Sequence, residues 1–323
     1  MNKNLRIGLI VVLVAVLGFV GYRTIFGAKK VVVDSSAQGV KIAEYANPEA
    51  FITPLQLNEL VDSDEDVVII GALNPTKGDT PIKGSFTMWR SDYSASEGDY
   101  PFAGMRNTPE EMDKILSSYG VTKDSIIVVY AANSHHDASR LKWQIENLAG
   151  HKDVRYLDGG LNAWISAGYE TSSDTPNVTA TDYKGNHSTK YLATLEMVQE
   201  AIDNPDEWLI IDTRSAGEES GESTKKGAFG PGKIPGSLWI EWTNAVDSEN
   251  TTLKTLAELE EIYKAAEGKK VIAFCQSGVR SAHTFLVLRD VLGMKDVYNY
   301  DGSWIEWSYE HYEKGSVEVE NGQ

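Results

Sequence analysis

The sequence predicts an α/β protein of two tandem domains, each a mainly parallel β-sheet with helices on both faces, preceded by an amino-terminal transmembrane or signal segment. Three observations support this prediction. The 323 residues, 41% of them hydrophobic, suffice for two ordinary cores. Short apolar runs alternate with helical stretches, a pattern typical of parallel sheets covered on both faces. Finally, the second half of the chain repeats spacings found in the first.

The amino-terminal segment is an apolar run at residues 7–22 with basic residues on both sides. Such a run is typical of an export signal or a single membrane anchor. We favour an uncleaved anchor, because only Gly27-Ala28 offers small residues for cleavage and bulky Phe26 lies beside it. The protein is then exported, and is either anchored in the cell membrane through residues 7–22 or released as a periplasmic or extracellular form.

The composition limits the partners. A net charge of −17 argues against nucleic acid, since phosphate binding depends on Lys and Arg side chains that displace counterions. Cys275 is the only cysteine, so no intramolecular disulfide can form. His135 and His136 are adjacent, but no carboxylate or thiol at ligand spacing accompanies them. We therefore interpret both as surface polar residues and assign no metal and no cofactor.

The remaining chain divides into two domains. Strand candidates at Val67–Ile70 and Ser125–Tyr130 belong to the first, and Thr108 with Glu111 forms a capping box that begins a helix between them. A later stretch is rich in Ser, Thr, Asp and Asn, which is typical of a linker. The predicted segments are a signal or anchor at 1–30, a stalk at 31–46, the first domain at 47–172, a linker at 173–190 and the second domain at 191–315.

The stretch with the clearest chemistry lies in the second domain. Val271–Phe274 reads as a buried strand, a compact loop with Gly278 follows, and Ser281–Arg289 reads as a helix. Cys275 lies where the strand gives way to the loop. Loop N–H groups and a helix N-terminus stabilise an anion, so a thiol placed there ionises more easily than an ordinary cysteine. The alternative, a buried apolar cysteine, does not explain the glycine loop and the arginine beside it.

This loop resembles the active-site loop of rhodaneses, sulfurtransferases that carry sulfane sulfur on a cysteine persulfide. Other segments resemble the family in the family's order and extend the resemblance over about 190–310. They are the Asp-x-Arg turn in Ile211–Ser215, the Ile-Pro-Gly segment in Gly232–Ser237 with Lys233 for histidine, and the closing signature Tyr300–Trp307. The tandem arrangement is similar to that of two-domain rhodaneses, so both domains are expected to be rhodanese-like.

The resemblance implies that Cys275 is the catalytic nucleophile. The N–H groups of residues 276–280 are expected to stabilise the sulfur, and Gly278 lets the backbone turn. Arg280 either binds an anionic donor or braces the loop, and Arg214 either reaches the pocket or pairs with a carboxylate. Ser277 either donates to the sulfur or shapes the turn. The predicted substrate-binding residues are Gln276, Ser277, Gly278, Val279, Arg280, Ser281 and Arg214.

The donor implied by the resemblance is thiosulfate or another sulfane donor, and the acceptor is cyanide, a thiol or a protein. Lys225, Lys226 and Lys233 could supply positive charge where family members often have a further arginine. An alternative donor is 3-mercaptopyruvate, since Ser277 matches the serine of that group. A persulfide carrier without turnover is a further alternative. Phosphatases of related fold place cysteine and arginine one residue further apart, so they fit the loop less well.

The first domain is expected to be inactive. When Asp158 is aligned with Asp301, the same offset places Ala132 opposite Cys275 and Asp137 opposite the loop arginine. The first domain therefore lacks both the nucleophile and the arginine of the second. We expect it to line one side of the active-site cleft.

Overall fold

The computed structural model describes residues 34–132 and 135–321 of the chain. They form two five-stranded sheets with the same order of strands. The strands are β1 Phe51–Ile52, β2 Val67–Ala72, β3 Ser85–Met88, β4 Ile126–Tyr130, β5 Val154–Leu157, β6 Leu192–Ala193, β7 Trp208–Asp212, β8 Leu238–Trp239, β9 Lys270–Phe274 and β10 Val297–Tyr300.

Helices connect the strands on both faces of each sheet. The α-helices are α1 Ala37–Ala43, α2 Pro54–Val61, α3 Pro109–Ser118, α4 His135–Lys142, α5 Gly160–Ser166, α6 Leu195–Asp203, α7 Ala216–Glu219, α8 Leu256–Ile262, α9 Val279–Leu286 and α10 Ser303–Tyr309. Wider π-helical turns extend three of them, at Trp143–Leu148, Val287–Val291 and Glu310–Lys314. Short 3₁₀ turns lie at Pro48–Ala50, Arg90–Asp92, Trp242–Ala245 and Lys264–Ala266.

Both sheets are parallel, as the sequence predicts. The first has the order β1-β5-β4-β2-β3 and the second β6-β10-β9-β7-β8, so each strand of one has a counterpart at the same place in the other. Every pairing between these strands is parallel. The repeat seen in the sequence is therefore a repeat of the fold, and β9 in the second domain corresponds to β4 in the first.

Local sequence signals fix several helix starts. Thr53, Thr108 and Thr255 each accept a hydrogen bond from a backbone N–H three residues later. The side chain at that later position, a Gln or a Glu, in turn accepts from the threonine N–H. These capping boxes satisfy N–H groups that would otherwise have no partner at the helix start. The box predicted at Thr108 is confirmed.

The core has three apolar clusters, and the central one is shared by the two domains. It contains Leu141 of α4 from the first domain and Phe285 of α9 from the second, both at most 2% exposed. A second cluster covers the other face of the first sheet, and a third covers the other face of the second. Helices α4 and α9 thus pack against each other between the two sheets, so the helix that follows the Cys275 loop belongs to the domain interface.

The stalk predicted at residues 31–46 is wrong for its described part, residues 34–46. Helix α1 begins at its cap Ser36, and Ile42 and Tyr45 are buried. The Tyr45 hydroxyl donates to the carbonyl of Lys254 in the second domain at 2.8 Å. A polar composition suggested an extended segment, but a few apolar side chains at helical spacing suffice to dock it.

The predicted linker at 173–190 contains neither helix nor strand in the structure. It lies along the first domain, where His187 contacts Asp113 at 2.8 Å and the Ser188 N–H donates to the carbonyl of Leu148. The predicted anchor at residues 7–22 lies outside the described residues. Within residues 34–132 and 135–321, no helix is both long and apolar enough to cross a membrane.

Candidate active site

Cys275 lies directly after β9, at the carboxyl end of the second sheet. Gly278 precedes α9 with a φ of 72°, a left-handed conformation that glycine adopts without a side-chain clash. A Cβ atom there would lie 2.6 Å from the Arg140 guanidinium of the first domain. The loop from Cys275 to Gly278 therefore depends on glycine both for its turn and for the close approach of the other domain. Cys275 itself is 1% exposed.

Ser303 holds the two ends of this loop. Its hydroxyl oxygen accepts hydrogen bonds from the N–H of Cys275 at 3.1 Å and of Gly278 at 2.9 Å, and its O–H donates to the carbonyl of Tyr300 at 2.6 Å. Ser303 has a φ of 50°, which is unusual for a residue other than glycine. One loop N–H predicted to face the sulfur, that of Gly278, is therefore directed at Ser303 instead.

The thiol environment favours the thiolate. Burial of Cys275 raises its pKa, but the charge of Arg280, the N–H groups of Ser281 and Ser277, and the Ser281 hydroxyl lower it by more. The pKa of Cys275 therefore lies below the ordinary value for a cysteine. The Ser281 hydroxyl lies 3.6 Å from the Cys275 Sγ. The backbone contacts thus come from Ser277 and Ser281, which are residues in the predicted set.

Arg280 is fixed by a carboxylate that the sequence analysis did not single out. Its two Nη atoms donate to the two carboxylate oxygens of Glu218 at 2.7 and 2.8 Å. The Ser215 hydroxyl donates to the same carboxylate at 2.8 Å. Burial raises the pKa of Glu218, but Arg280 and Ser215 lower it by more, to about 2. Burial lowers the pKa of Arg280, while hydrogen bonding to Glu218 and the charge of Cys275 raise it, so the guanidinium stays charged.

The structure shows one of the two roles considered for Arg280, that of bracing the loop. The bidentate pair with Glu218 braces the loop against α7, and the same guanidinium lies close enough to interact with Cys275. A planar guanidinium can use one edge for a carboxylate and present its other donors to a second anion.

Arg214 is placed in an internal ion pair rather than in the site. It is 1% exposed, and its Nε and Nη2 donate to the Asp212 carboxylate at 2.6 to 3.0 Å. Its Nη2 also donates to the Gly232 carbonyl at 3.0 Å. The guanidinium stacks 4.8 Å from the Trp304 ring centre. These contacts favour the internal pairing among the two roles considered for Arg214.

Lys233 is likewise held in an internal ion pair. It is 5% exposed and its Nζ lies 3.0 Å from the Glu219 carboxylate. This pairing cancels the positive charge that Lys233 was expected to add. Of the other predicted residues, Gln276 and Ser277 are half-buried in the loop and Val279 is buried at the start of α9.

Arg140 of the first domain contacts the loop from Cys275 to Gly278. The Arg140 Nη1 donates to the carbonyl of Gly278 at 3.3 Å, and its Nη2 forms an ion pair with Asp301. The Arg106 N–H donates to the same Asp301 carboxylate at 3.1 Å. Asp301 belongs to the closing signature of the second domain, so that signature anchors the first domain beside the loop.

The first-domain segment around Gly104 also covers the loop. Gly104 has a φ of 99°, and a Cβ atom there would lie 3.0 Å from the Ser277 Cβ. Glycine at this position lets the backbone approach the catalytic loop directly. The expectation that the first domain lines one side of the site is supported by these contacts.

The histidine pair is not on the surface, so that interpretation was wrong. His135 is 4% exposed and its Nδ1 lies 3.0 Å from the Tyr156 hydroxyl. His136 packs edge-on against Trp242 of the second domain, with ring centres 4.6 Å apart. Burial lowers the pKa of both histidines. They lie at the start of α4, which the domain interface buries. Among the residues that the structure describes, no group of three or more His, Cys, Asp or Glu side chains is arranged to hold a metal.

The structure places Ala131, not the expected Ala132, where the second domain has Cys275, because the Leu161 N–H donates to the Ala131 carbonyl as the Trp304 N–H donates to that of Cys275. Ala132 is the next residue. It lies two residues after β4 and lines a cavity of about 360 Å³ in the first domain. The rest of the lining consists of Ala72, Leu73, Asn74, Lys77, Asp79 and Trp89. This lining contains no thiol, so the cavity has no counterpart of the Cys275 nucleophile.

Three site residues escaped the sequence analysis. Glu218 lies in the Ala216–Glu219 segment that replaces the family's further arginine, and Ser303 lies within the closing signature. The sequence thus shows Glu218 as a departure from the family pattern and Ser303 as a member of a motif. It does not show that Glu218 pairs with Arg280 or that Ser303 binds the loop. Arg140 had no local signal, because it reaches the loop only through the packing of α4 on α9.

Comparison with known proteins identifies the family. The rhodanese-like domain matches residues 53–167 and, separately, residues 194–310. A thiosulfate sulfurtransferase of Corynebacterium glutamicum is 30% identical over 281 residues, which cover 82% of this chain and 89% of the relative. A Mycobacterium bovis protein, SseA, named provisionally as a thiosulfate sulfurtransferase, is 31% identical over 284 residues, covering 82% of this chain and 90% of its own.

A solved structure shows the same fold. The anaerobic ergothioneine biosynthesis enzyme from Chlorobium limicola, in complex with trimethyl histidine, superposes with a TM-score of 0.76 at 22% identity. The match covers 86% of this chain and 72% of that enzyme. With both halves matched by the domain and relatives aligned over most of their length, the chain belongs to the rhodanese-like family and carries two such domains in tandem.

Proposed function

We infer that this sulfurtransferase moves sulfane sulfur from thiosulfate to a thiophilic acceptor through a persulfide on Cys275. The observation that carries this proposal is the environment of the thiol. Cys275 is buried at the end of β9, within reach of the Arg280 charge and of donors from Ser277 and Ser281. Such a site stabilises a thiolate before the reaction and a persulfide after it.

In the first half-reaction the Cys275 thiolate attacks the outer sulfur of thiosulfate. A bond forms between Sγ and that sulfur, the bond from it to the sulfonate sulfur breaks, and the electron pair leaves with sulfite. In the second half-reaction a nucleophile, such as cyanide or a thiolate, attacks the outer sulfur of the persulfide. The Cys275–sulfur bond breaks and the thiolate returns. No oxidant is consumed, because the sulfur moves as a neutral atom between nucleophiles.

Two observations support thiosulfate over 3-mercaptopyruvate. The relatives from C. glutamicum and M. bovis bear the thiosulfate name. In addition, His283 is fully buried on α9 and burial lowers its pKa to about 3, so it stays neutral at the pH of the reaction and is a poor member of a proton relay.

Steady-state kinetics test this proposal. With thiosulfate and cyanide as substrates, double-reciprocal plots should give parallel lines, since sulfite leaves before cyanide reacts. Cys275→Ser should abolish transfer while keeping the fold, because the exchange is nearly isosteric. Transfer that survives in Cys275→Ser would overturn the proposal. Hydrolysis of an aryl phosphate without sulfur uptake would move the assignment to the phosphatases of related fold.

We also propose that residues 7–22 anchor the chain in a membrane and that the two domains are exported. The support for this is the apolar run itself, with its poor cleavage site. Fractionation should place the full chain in membranes, whereas residues 31–323, which keep α1, should be soluble. Recovery of a soluble mature form that begins near Lys29 would contradict the uncleaved anchor.

A further inference from the structure

Arg90 is a first-domain arginine that is held at one edge and open at the other. It begins the turn Arg90–Asp92 after β3, and its Nε donates to the Asp137 carboxylate at 2.7 Å. Its Nη2 lies 3.3 Å from the His136 Nε2. Asp137 is fully buried, whereas 43% of the Arg90 side chain is exposed. The guanidinium is therefore fixed in position yet accessible to a ligand.

A series of ring contacts places this guanidinium beside the active-site helix. His136, next to Arg90, packs edge-on against Trp242, and Trp242 packs edge-on against His283 of α9 at 5.2 Å. The electrostatics agree with this placement. Burial lowers the pKa of His136, and the charges of both Arg90 and Arg280 lower it further. The charge of Cys275 in turn helps to raise the pKa of Arg90.

Each domain fixes one arginine of this region with one buried carboxylate. In the second domain the loop carries the arginine, and Glu218 from a neighbouring segment fixes it. In the first domain the start of α4 carries the acid, Asp137, and Arg90 from a neighbouring segment is fixed by it. Asp137 is not the counterpart of Arg280, because α4 begins at His135 where α9 begins at Val279, so His136 corresponds to Arg280 and Asp137 follows it.

We propose that Arg90 and Arg280 together form an anion site above Cys275, and that Arg90 binds the sulfonate end of the donor. This rests on the proposed function for the identity of the donor. Thiosulfate carries two negative charges, and Arg280 and Arg90 are each already paired with one carboxylate, so neither guanidinium matches those charges alone. A second guanidinium with free donors suits the sulfonate oxygens, which accept hydrogen bonds in the planar geometry that arginine offers. The outer sulfur then points at the Cys275 thiolate.

The variants must remove the Arg90 charge without leaving a buried carboxylate unpaired. The double variant Arg90→Gln/Asp137→Asn neutralises both partners and keeps their approximate shapes. Arg90→Lys keeps the charge but loses the planar pair of donors. The matched control is Arg155→Gln/Asp153→Asn, an ion pair of the same kind at 2.8 Å. It lies at the amino-terminal end of β5, the opposite end of the sheet from the site.

The first readout is alkylation of Cys275 by iodoacetate, an anion, and by neutral iodoacetamide. In both reagents the thiolate displaces iodide, so their rate ratio reports attraction of an anion rather than thiol reactivity. We expect the iodoacetate-to-iodoacetamide ratio to fall on the order of tenfold in the double variant, as for loss of one hydrogen bond from a guanidinium to an anion. Arg90→Lys should recover part of this ratio, and the control should match the wild type. An unchanged ratio in the double variant would overturn the proposal.

The second readout separates this site from the proposed function. The KM for thiosulfate should rise on the order of tenfold in the double variant, with a smaller effect on the cyanide half-reaction. Equal slowing of both half-reactions would indicate a merely structural role and overturn the proposal. If thiosulfate fails to load the wild type while the alkylation ratio still depends on Arg90, the anion site stands and the donor assignment fails.

Discussion

Glu218 determines where the Arg280 charge lies. It binds both Nη atoms of Arg280 and accepts a hydrogen bond from Ser215. Only 2% of its surface is exposed, so its carboxylate depends on these partners for solvation. The arginine of the loop is thus oriented by a residue more than sixty positions earlier, and both groups stay charged through neutral pH.

The stability of the protein should therefore depend on Glu218 in acid. Its pKa is lowered from 4.5 to about 2, so the stabilisation is complete above pH 4.5 and is lost as the pH falls toward 2. Glu218→Gln should lower the free energy of unfolding by about 2 kcal/mol at pH 7, a value reduced for solvent screening. In urea titrations the gap between variant and wild type should narrow below pH 4.5. A gap that is constant from pH 7 to pH 3 would contradict the assigned ion pair.

Among individual residues, the sequence predicted Cys275 as the nucleophile but not the side chains that contact its loop. Cys275 could be predicted because strand, glycine loop and helix follow one another within a few residues. Ser303 could be seen as part of a motif, yet its left-handed backbone and its two loop contacts could not. Arg90 and Arg140 could not be predicted as site residues, because they approach through the packing of one domain on the other.

At the scale of the elements, helix α1 binds both domains, a role that no sequence pattern indicated. Lys41 on this helix donates to the Asp158 carboxylate of the first domain at 3.1 Å and to Thr252 Oγ1 of the second at 2.8 Å. Gln38 adds a hydrogen bond to the Asp158 carbonyl at 2.9 Å. Helix α1 therefore bridges the two domains. This contact is separate from the packing of α4 on α9.

Removing the ion pair between Lys41 and Asp158 should destabilise the whole protein. Asp158 is 1% exposed, so Lys41→Met takes a partner from a buried carboxylate. We expect a loss of about 2 to 3 kcal/mol in the free energy of unfolding, measured by urea denaturation of the full chain. The control is Lys83→Met, which breaks the exposed pair of Lys83 with Glu170 and should change stability by less than about 0.5 kcal/mol. Equal effects of the two variants would show that α1 does not fasten the domains.

The long buried strands β2, β4 and β9 followed from the sequence, whereas α1 did not. Buried parallel strands have continuous apolar runs, such as Ile126–Tyr130, that stand out from any neighbouring segment. Helix α1 has only seven residues and places its buried side chains on a tertiary surface. Composition alone does not separate such a helix from a stalk, because its stability comes from docking rather than from its own sequence.

For the whole molecule, the main consequence is that the second domain shares loop contacts and an apolar cluster with the first. Its loop carbonyl at Gly278 and its Asp301 carboxylate both bind Arg140 of the first domain. Phe285 and Ala282 of α9 belong to the apolar cluster that the two domains share. The first domain has Ala131 where the second has Cys275, and it contacts the loop of its neighbour through Arg140.

We therefore expect residues 190–323 expressed alone to be insoluble or to lose thiosulfate turnover. Apolar side chains of α9 would face water, and the loop would lose its cross-domain contacts. In the full chain, Arg140→Met should reduce turnover at least tenfold while leaving secondary structure intact by circular dichroism, since it leaves Asp301 buried with one donor fewer. Full activity of the isolated fragment would require another role for the first domain.

The most direct test of the account is intact mass spectrometry of the purified protein after incubation with thiosulfate and, separately, with 3-mercaptopyruvate. The account predicts that thiosulfate adds the mass of one sulfur atom to wild type and nothing to Cys275→Ser, that cyanide removes this mass, and that 3-mercaptopyruvate loads the protein poorly. Absence of any added sulfur from thiosulfate, or its appearance in Cys275→Ser, would contradict a Cys275 persulfide as the centre of the reaction.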